Sequence, residues 1–238
     1  LIIEAQFRLA EIQYRIIEDF DKASALYINA LSKNPPMELK KNIILRIADV
    51  LLAKGEHKNS ITFLDSVYNI YQTQEIKNKL VEVHLFSGNP DTALSIINET
   101  FSLITPVNSS FNDLMEIRDI INYYYTDVDD TAKKAFEQFL KAEYLLKQRK
   151  ISEASQLLNH TIDNNSALKI IPLISLRRAI LLLKMKKFDQ ALNQIVSIEN
   201  SSLGDKSIIM AGQIYEQVYN DNEKAMEYYM RIINNYTN

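Results

Sequence analysis

A small residue followed four positions later by a large apolar or aromatic residue occurs six times along the chain. The small residues are Ala23, Ser60, Ala93, Ala154, Ala191 and Ala225. The large residues that follow them are Tyr27, Leu64, Ile97, Leu158, Ile195 and Tyr229. Residues four positions apart lie on the same face of an α-helix. We therefore predict a helix at each recurrence, with the large side chain filling the space beside the small one.

A second small residue lies twelve or thirteen positions upstream in five of these six segments. The upstream residues are Ala10, Ala48, Ala142, Ala179 and Gly212, and Val81 takes this position in the remaining segment. Small side chains at both places let two helices approach closely, whereas a bulky one would cost about 1–3 kcal/mol by overpacking. Gly55 and Gly88 fit the ends of first helices. The pattern therefore predicts pairs of helices joined by tight turns.

The recurrences also have a regular period. Successive segments lie 33 to 37 residues apart, except for one interval of 61 residues. A helix–turn–helix unit of about 34 residues is typical of tetratricopeptide repeats. In this frame of small and large residues the chain resembles tetratricopeptide repeat proteins over most of 1–104 and 132–238. The resemblance implies an all-α solenoid of about six helix–turn–helix repeats.

The interval of 61 residues is too long for one repeat and too short for two. It contains a polar lead-in with Pro106, an amphipathic stretch at about 110–125 and an acidic break at Asp129 and Asp130. We predict one extra helix that interrupts the array near 105–130. The expected organisation is a first three-repeat block at 1–104, an irregular linker with the extra helix at 105–131, and a second three-repeat block at 132–238.

Composition narrows the class of protein further. Four glycines and five prolines in 238 residues favour long helices over loop-rich folds. The net charge of −3 leaves no basic excess to neutralise phosphates, so we expect no nucleic-acid partner. No apolar run approaches the roughly 20 residues of a membrane span, so none is expected within this segment.

The sequence carries no pattern typical of catalysis. It has no cysteine, and its three histidines, His57, His84 and His160, stand apart from one another. It lacks a glycine-rich phosphate loop, a zinc-type H-E-x-x-H motif and a serine elbow. We therefore expect no catalytic residue, no metal site and no cofactor.

Carboxylates occupy a position that the family resemblance marks as functional. Tetratricopeptide repeat proteins mostly bind peptide segments in a concave groove, and the residue after the first small site faces that groove. Here the first four of these positions hold the acidic strip of Glu11, Asp49, Glu82 and Glu143. The resemblance thus implies a protein or peptide partner, and the strip predicts a basic segment. An ordinary solvated helix face is the alternative explanation of the same residues.

Apolar residues next to the acidic strip would add contact area to such a groove. Tyr14, Leu52 and Phe86 are the candidates that we place in the partner-binding set together with the strip. Cations at Lys147, Arg149 and Lys150 close a predicted first helix, where they suit the negative end of the helix dipole. Lys184, Lys186 and Lys187 do the same one repeat later, and a basic rim that receives an acidic partner is the alternative.

A second functional hypothesis uses the ends of the array. The segments "EDFDKA" and "NDNEKA" share one style of turn, which resembles that of bacterial envelope-assembly repeat proteins. That narrower resemblance implies a location at the bacterial cell envelope. The chain begins with "LIIEAQF" and has no polar capping helix, although repeat arrays need solubilising caps. Self-association, or docking of flanking sequence onto the ends, is therefore the alternative to binding in the groove.

Overall fold

The computed structural model describes residues 1–165 and 167–236, and every regular element in this part of the chain is a helix. A short π-helical segment, Gln13–Ile17, continues directly from the first helix. The α-helices are α1 (Ile2–Ile12), α2 (Phe20–Ser32), α3 (Met37–Ala53), α4 (His57–Tyr71), α5 (Gln74–Phe86), α6 (Pro90–Phe101), α7 (Phe111–Tyr124), α8 (Asp130–Lys147), α9 (Ile151–Asn164), α10 (Ile171–Lys184), α11 (Phe188–Val196), α12 (Gly204–Gln217) and α13 (Asn222–Tyr236).

These helices follow one another as six helix–turn–helix repeats with one helix left over. Helices α1 and α2, α3 and α4, α5 and α6, α10 and α11, and α12 and α13 pack against each other as pairs. Helix α7 lies in the long interval and packs on α6. The all-α repeat fold and the extra helix near 105–130 are therefore confirmed.

Small residues sit at the crossings of the paired helices, as the pattern predicts. Ala10, Ala23, Ala48 and Ser60 have no exposed surface. At Gly212 an added Cβ atom would lie 2.6 Å from Cε1 of Tyr229. The large side chain thus occupies the space that the missing side chain leaves, which explains why the two residue types recur together.

The first and last repeats share one device at the turn between their helices. Asp19 accepts a hydrogen bond from the backbone N–H of Lys22 at 3.0 Å. Asp221 accepts the equivalent bond from the backbone N–H of Lys224 at 3.0 Å. An acidic N-cap satisfies one of the backbone donors left free at a helix start. The similar turn sequences therefore encode similar caps. In the first repeat Ala10 and Ala23 lie thirteen positions apart, rather than the twelve of the middle repeats. The π-helical segment Gln13–Ile17 takes up this extra residue of the first turn.

Glycine ends two of the first helices in a left-handed conformation. Gly55 has a φ of 83° and Gly88 a φ of 78°. The N–H of Asn89, after Gly88, donates to the carbonyl of His84 at 2.9 Å and so satisfies one of the last carbonyls of α5. At the corresponding place after α10, Lys186 adopts the same left-handed conformation with a φ of 58°, although it carries a Cβ atom.

We expect Gly88→Ala to lower the free energy of unfolding by about 1–2 kcal/mol, because a Cβ atom disfavours the left-handed backbone. Beyond the two neighbouring residues, no atom lies within 4 Å of the added Cβ, so the loss of stability reports the cost of the left-handed backbone alone. Urea denaturation followed by far-UV circular dichroism measures it. The reverse substitution, Lys186→Gly, serves as the control and should leave stability unchanged or raised. Equal stability of Gly88→Ala and the wild type would contradict the role given to Gly88.

The chain divides into two compact units. Unit 1 comprises residues 1–127 and 143–150, and unit 2 comprises residues 128–142 and the chain from 151 onward. Unit 1 contains two core clusters, one around Tyr27 and one around Leu64. Unit 2 has a cluster around Ile195. The end of helix α8 thus belongs to unit 1, and the block boundaries at 104 and 132 stay a prediction.

The described helices differ from membrane-spanning helices in length or in apolar character. None of them, in residues 1–165 or 167–236, combines the length and the apolar character that crossing a membrane requires.

Candidate partner-binding surface

Three members of the acidic strip lie on the first helices of unit 1 and alternate with basic side chains. Arg46 on α3 places Nε 2.8 Å from Oε1 of Glu11 and Nη1 2.9 Å from Oδ2 of Asp49. Lys79 on α5 places Nζ 2.8 Å from Oδ1 of Asp49 and also pairs with Oε2 of Glu82. The side chains therefore form one continuous row of alternating charge across α1, α3 and α5.

The row ends at the C-terminus of helix α8. Nζ of Lys147 pairs with Oε1 of Glu82, so each carboxylate oxygen of Glu82 takes one lysine. We call this row the charge ladder; its members, in order, are Glu11, Arg46, Asp49, Lys79, Glu82 and Lys147. At the opposite end, Glu11 also accepts a hydrogen bond from the Tyr27 hydroxyl and forms an ion pair with Arg15, whose Nε lies 2.7 Å from Oε2.

The central charges of the ladder are withdrawn from water. The side chains of Asp49 and Lys79 are only 11% and 14% exposed. Burial alone would lower the pKa of Lys79, but the carboxylates of Glu82 and Asp49 outweigh it and raise that pKa. Burial alone would raise the pKa of Glu82, but Lys79 and Lys147 hold it below the ordinary value. Lys79 and Glu82 are thus kept charged by their neighbours.

Residues 143–150 bring aromatic and basic side chains to the same surface. Tyr144 stacks on Phe86 with ring centroids 6.4 Å apart and an interplanar angle of 14°. Nζ of Lys147 lies 5.2 Å from the ring centroid of Phe86, within the range of a cation–π contact. Arg149 lies over Tyr14 in the same way, with Cζ 5.7 Å from the ring centroid. We call residues 143–150 the α8 end segment.

The structure brings together most of the residues that the sequence proposes for partner binding. Glu11, Asp49 and Glu82 belong to the charge ladder, and Phe86 borders it while being half-buried. The remaining three are not members of the ladder. Tyr14 is 9% exposed in the first core cluster, Leu52 has no exposed surface in the second, and Glu143 lies half-buried in the α8 end segment.

Of the basic members of the ladder, Arg46 and Lys79 are not among the residues singled out from the sequence, and Lys147 is predicted there only as a cation at a helix end. Arg46 precedes Asp49 by three residues and Lys79 precedes Glu82 by three, a spacing that places opposite charges on one helix face. That signal was available in the sequence. Lys147 carries no such signal, because 65 residues separate it from Glu82.

Across residues 1–165 and 167–236, no group of three or more histidine and acidic side chains has an arrangement that would hold a metal ion.

The paired helices and their period define this chain as a helical-repeat protein. A sequence model of the family described as "Tetratricopeptide repeat-like domain" matches residues 99–238, which is more than half of the chain. The chain belongs to the tetratricopeptide repeat-like family. No curated protein matches the sequence.

Solved structures of tetratricopeptide repeat proteins align along most of the chain at low identity. A repeat protein from Parabacteroides merdae is 14% identical, with 98% of this chain and 92% of that one covered and a TM-score of 0.44. A thermophilic repeat protein from Thermus thermophilus is 16% identical, with 97% and 99% covered and a TM-score of 0.36. The TPR2AB domain of yeast Sti1, in complex with pHSP90, is 14% identical, with 95% and 89% covered and a TM-score of 0.41.

Proposed function

We propose that the chain is a non-catalytic protein–protein interaction scaffold that binds a segment of its partner in the groove of its first helices. Tetratricopeptide repeats generally serve as non-catalytic interaction modules, which supports the scaffold role. The observation that carries the finer proposal is the α8 end segment. Its Tyr144 and Lys147 lie against Phe86 and Glu82, so this surface already accommodates aromatic and basic side chains.

The proposed partner is a segment that bears lysine or arginine. Each carboxylate of the ladder already pairs with a cation of this chain. A cation of the partner must therefore compete with that cation for the carboxylate. Lys147 is the most exposed cation within the ladder, with a side chain 38% exposed, whereas Lys79 is 14% exposed. Its partner Glu82 is also the most exposed carboxylate of the ladder, at 26%, compared with 15% for Glu11 and 11% for Asp49. Glu82 is therefore the point at which a partner's cation would enter, and Glu11, Asp49 and Glu143 would extend the attraction along the groove.

Two substitutions at one ion pair test this proposal in opposite directions. Lys147→Gln leaves Glu82 with one cation fewer and should strengthen binding of a fluorescein-labelled peptide of alternating lysine and alanine. Glu82→Gln removes the anion and should weaken it. Fluorescence anisotropy at low and physiological salt measures the peptide affinity of both variants. The difference in affinity between each variant and the wild type should shrink as salt is added, because salt screens exposed charges. A purely structural role of the pair would move both variants in one direction.

Charge-matched variants away from the ladder control for net charge. Lys58→Gln, at an exposed position of α4, makes the same change as Lys147→Gln. Glu38→Gln, at an exposed position of α3, makes the same change as Glu82→Gln. If the ladder variants bind the peptide no differently from these two, the groove proposal fails.

Association through the repeat ends is the second candidate function. On α1, Leu9 exposes 46% of its surface, and Ile16 in the π-helical segment that follows exposes 75%. On α13, Met226 and Met230 expose 62% and 47%. Stacked repeats normally bury such apolar rows, so these faces favour contact with a second copy or with flanking sequence. The location at the bacterial envelope stays a proposal that goes with this candidate.

A further inference from the structure

Unit 2 contains a polar cavity that the groove proposal does not use. It has a volume of about 370 Å³ and lies among the second helices α9 and α11 and the first helix α10. Small-molecule sites in proteins commonly begin at about 300 Å³, so the cavity suits a small group or a single side chain. Its lining is dominated by polar residues, among them Asn159, His160, Arg178 and Lys187.

Arg178 on α10 gives this cavity an incompletely satisfied donor. Its Nη1 donates to Oε1 of Gln194 at 2.5 Å. Its Nε is buried and has no hydrogen-bond partner in the structure. A buried donor without a partner costs about 1–3 kcal/mol. Burial also lowers the pKa of Arg178 and Asp163 partly offsets that effect, although the guanidinium stays charged at neutral pH.

The charge around Arg178 favours an anion. Lys187 at the turn after α10 also lines the cavity and is exposed. Asp163 is the one carboxylate in the described lining, and it accepts a hydrogen bond from Nδ2 of Asn159 at 2.8 Å. The described lining thus contains two cations and one carboxylate, and that carboxylate already has a donor. His160 also lines the cavity, and its Nε2 lies 3.1 Å from Nδ2 of Asn164.

We propose that this cavity binds a carboxylate group, with the guanidinium of Arg178 as its main contact and Lys187 as a second cation. Guanidinium donors match carboxylate oxygens in geometry as well as in charge. The site is built on α9, α10 and α11 of unit 2, whereas the charge ladder is in unit 1, so the inference is independent of the proposed function. An acidic side chain of a protein segment and a free small carboxylate share this chemistry.

Isothermal titration calorimetry with two probes tests the site and distinguishes its sources. One probe is a terminally blocked peptide with a central glutamate, and the other is free glutarate. We expect saturable binding of at least one probe to the intact chain. Binding of the peptide alone assigns the site to an acidic segment, binding of glutarate alone assigns it to a free carboxylate, and binding of both supports a general carboxylate site.

Substitutions in the lining give the expected ranking of affinities. Arg178→Gln should weaken binding about tenfold or more, because it removes the main contact. Lys187→Gln should weaken binding about threefold, because it removes the exposed second cation. Asp163→Asn should strengthen binding, because it removes the competing anion. Lys184→Gln is the control, because Lys184 is exposed at the end of α10, the helix that carries Arg178, and does not line the cavity. This variant should bind the probes like the wild type.

Two results would overturn the proposal. One is the absence of heat of binding with both probes, and the other is unchanged affinity in both cation variants. Lys187 is exposed, so its substitution keeps the test valid even if Arg178→Gln disturbs the fold. Circular dichroism of every variant checks that the helices remain.

Discussion

Replacement of Tyr27 by alanine is expected to lower the free energy of unfolding of unit 1 by about 3–5 kcal/mol, the range found when a large core aromatic is truncated. Tyr27 has no exposed surface and lies four residues after Ala23, at the crossing of α1 and α2. Its ring packs 5.8 Å from the ring of Phe7. Truncation would leave a cavity between two helices that the small residues have brought close together.

The hydroxyl of Tyr27 allows a matched control. It donates a hydrogen bond to Glu11, and burial together with that bond raises the pKa of the phenol. Tyr27→Phe keeps the ring and removes only this donor, while Arg46 and Arg15 still neutralise Glu11. The cost should therefore be about 1 kcal/mol.

Urea unfolding followed by far-UV circular dichroism compares these variants. Tyr229→Ala in the last repeat tests the same position where the side chain is half-exposed, and it should cost less than Tyr27→Ala. The expected loss of stability comes from burial of the ring. An equal loss of unfolding free energy at the two tyrosines would therefore show that the large residue does not act by filling the helix crossing.

The repeat frame could be predicted because the evidence for it is local. A small residue and a large one four positions later specify a helix face, and the interval of 61 residues leaves room for one more helix, which is α7. The π-helical segment Gln13–Ile17 could not be predicted in the same way. Only the extra residue in the first turn pointed to an irregularity, and which hydrogen bonds absorb it depends on how α1 packs against α2.

The candidate surface was predictable in part. Position within the repeat identified Glu11, Asp49 and Glu82 as members of one row. The spacing of three residues would have added Arg46 and Lys79. It could not have added Lys147, since that contact depends on the α8 end segment returning to unit 1. A row of carboxylates in a sequence therefore does not establish a negative surface until its counter-charges are located.

The pairing within the ladder also changes what a partner would gain. A free carboxylate strip would attract cations without cost, whereas here each new contact replaces an internal one. The net electrostatic gain is then a difference between two ion pairs and should be small for an exposed exchange. Selectivity would come from the aromatic contacts beside the ladder, where Phe86 already stacks with Tyr144.

Acid titration provides the second large expected effect, at Glu82. Its folded-state pKa lies below the ordinary value of 4.5, because Lys79 and Lys147 outweigh the opposing effect of burial. A lowered carboxyl pKa stabilises the folded state above the unfolded-state value, and this stabilisation is lost as the pH falls through the folded-state pKa. The ion pairs of Glu82 should therefore contribute fully at neutral pH, and their contribution should weaken progressively below about pH 4.5.

We expect Glu82→Gln to lower the free energy of unfolding by about 2 kcal/mol at neutral pH. The estimate lies between the value for a fully buried ion pair and that for a surface pair, since the Glu82 side chain is 26% exposed. Urea denaturation at several pH values from about 7 to about 3 should show the gap to the wild type closing as Glu82 becomes protonated. Glu38→Gln, whose side chain is 81% exposed beside Lys41, should show almost no gap at any pH. A gap for Glu82→Gln that stayed constant into acid would mean that its charge does not stabilise unit 1, because protonation of the wild type would then change nothing.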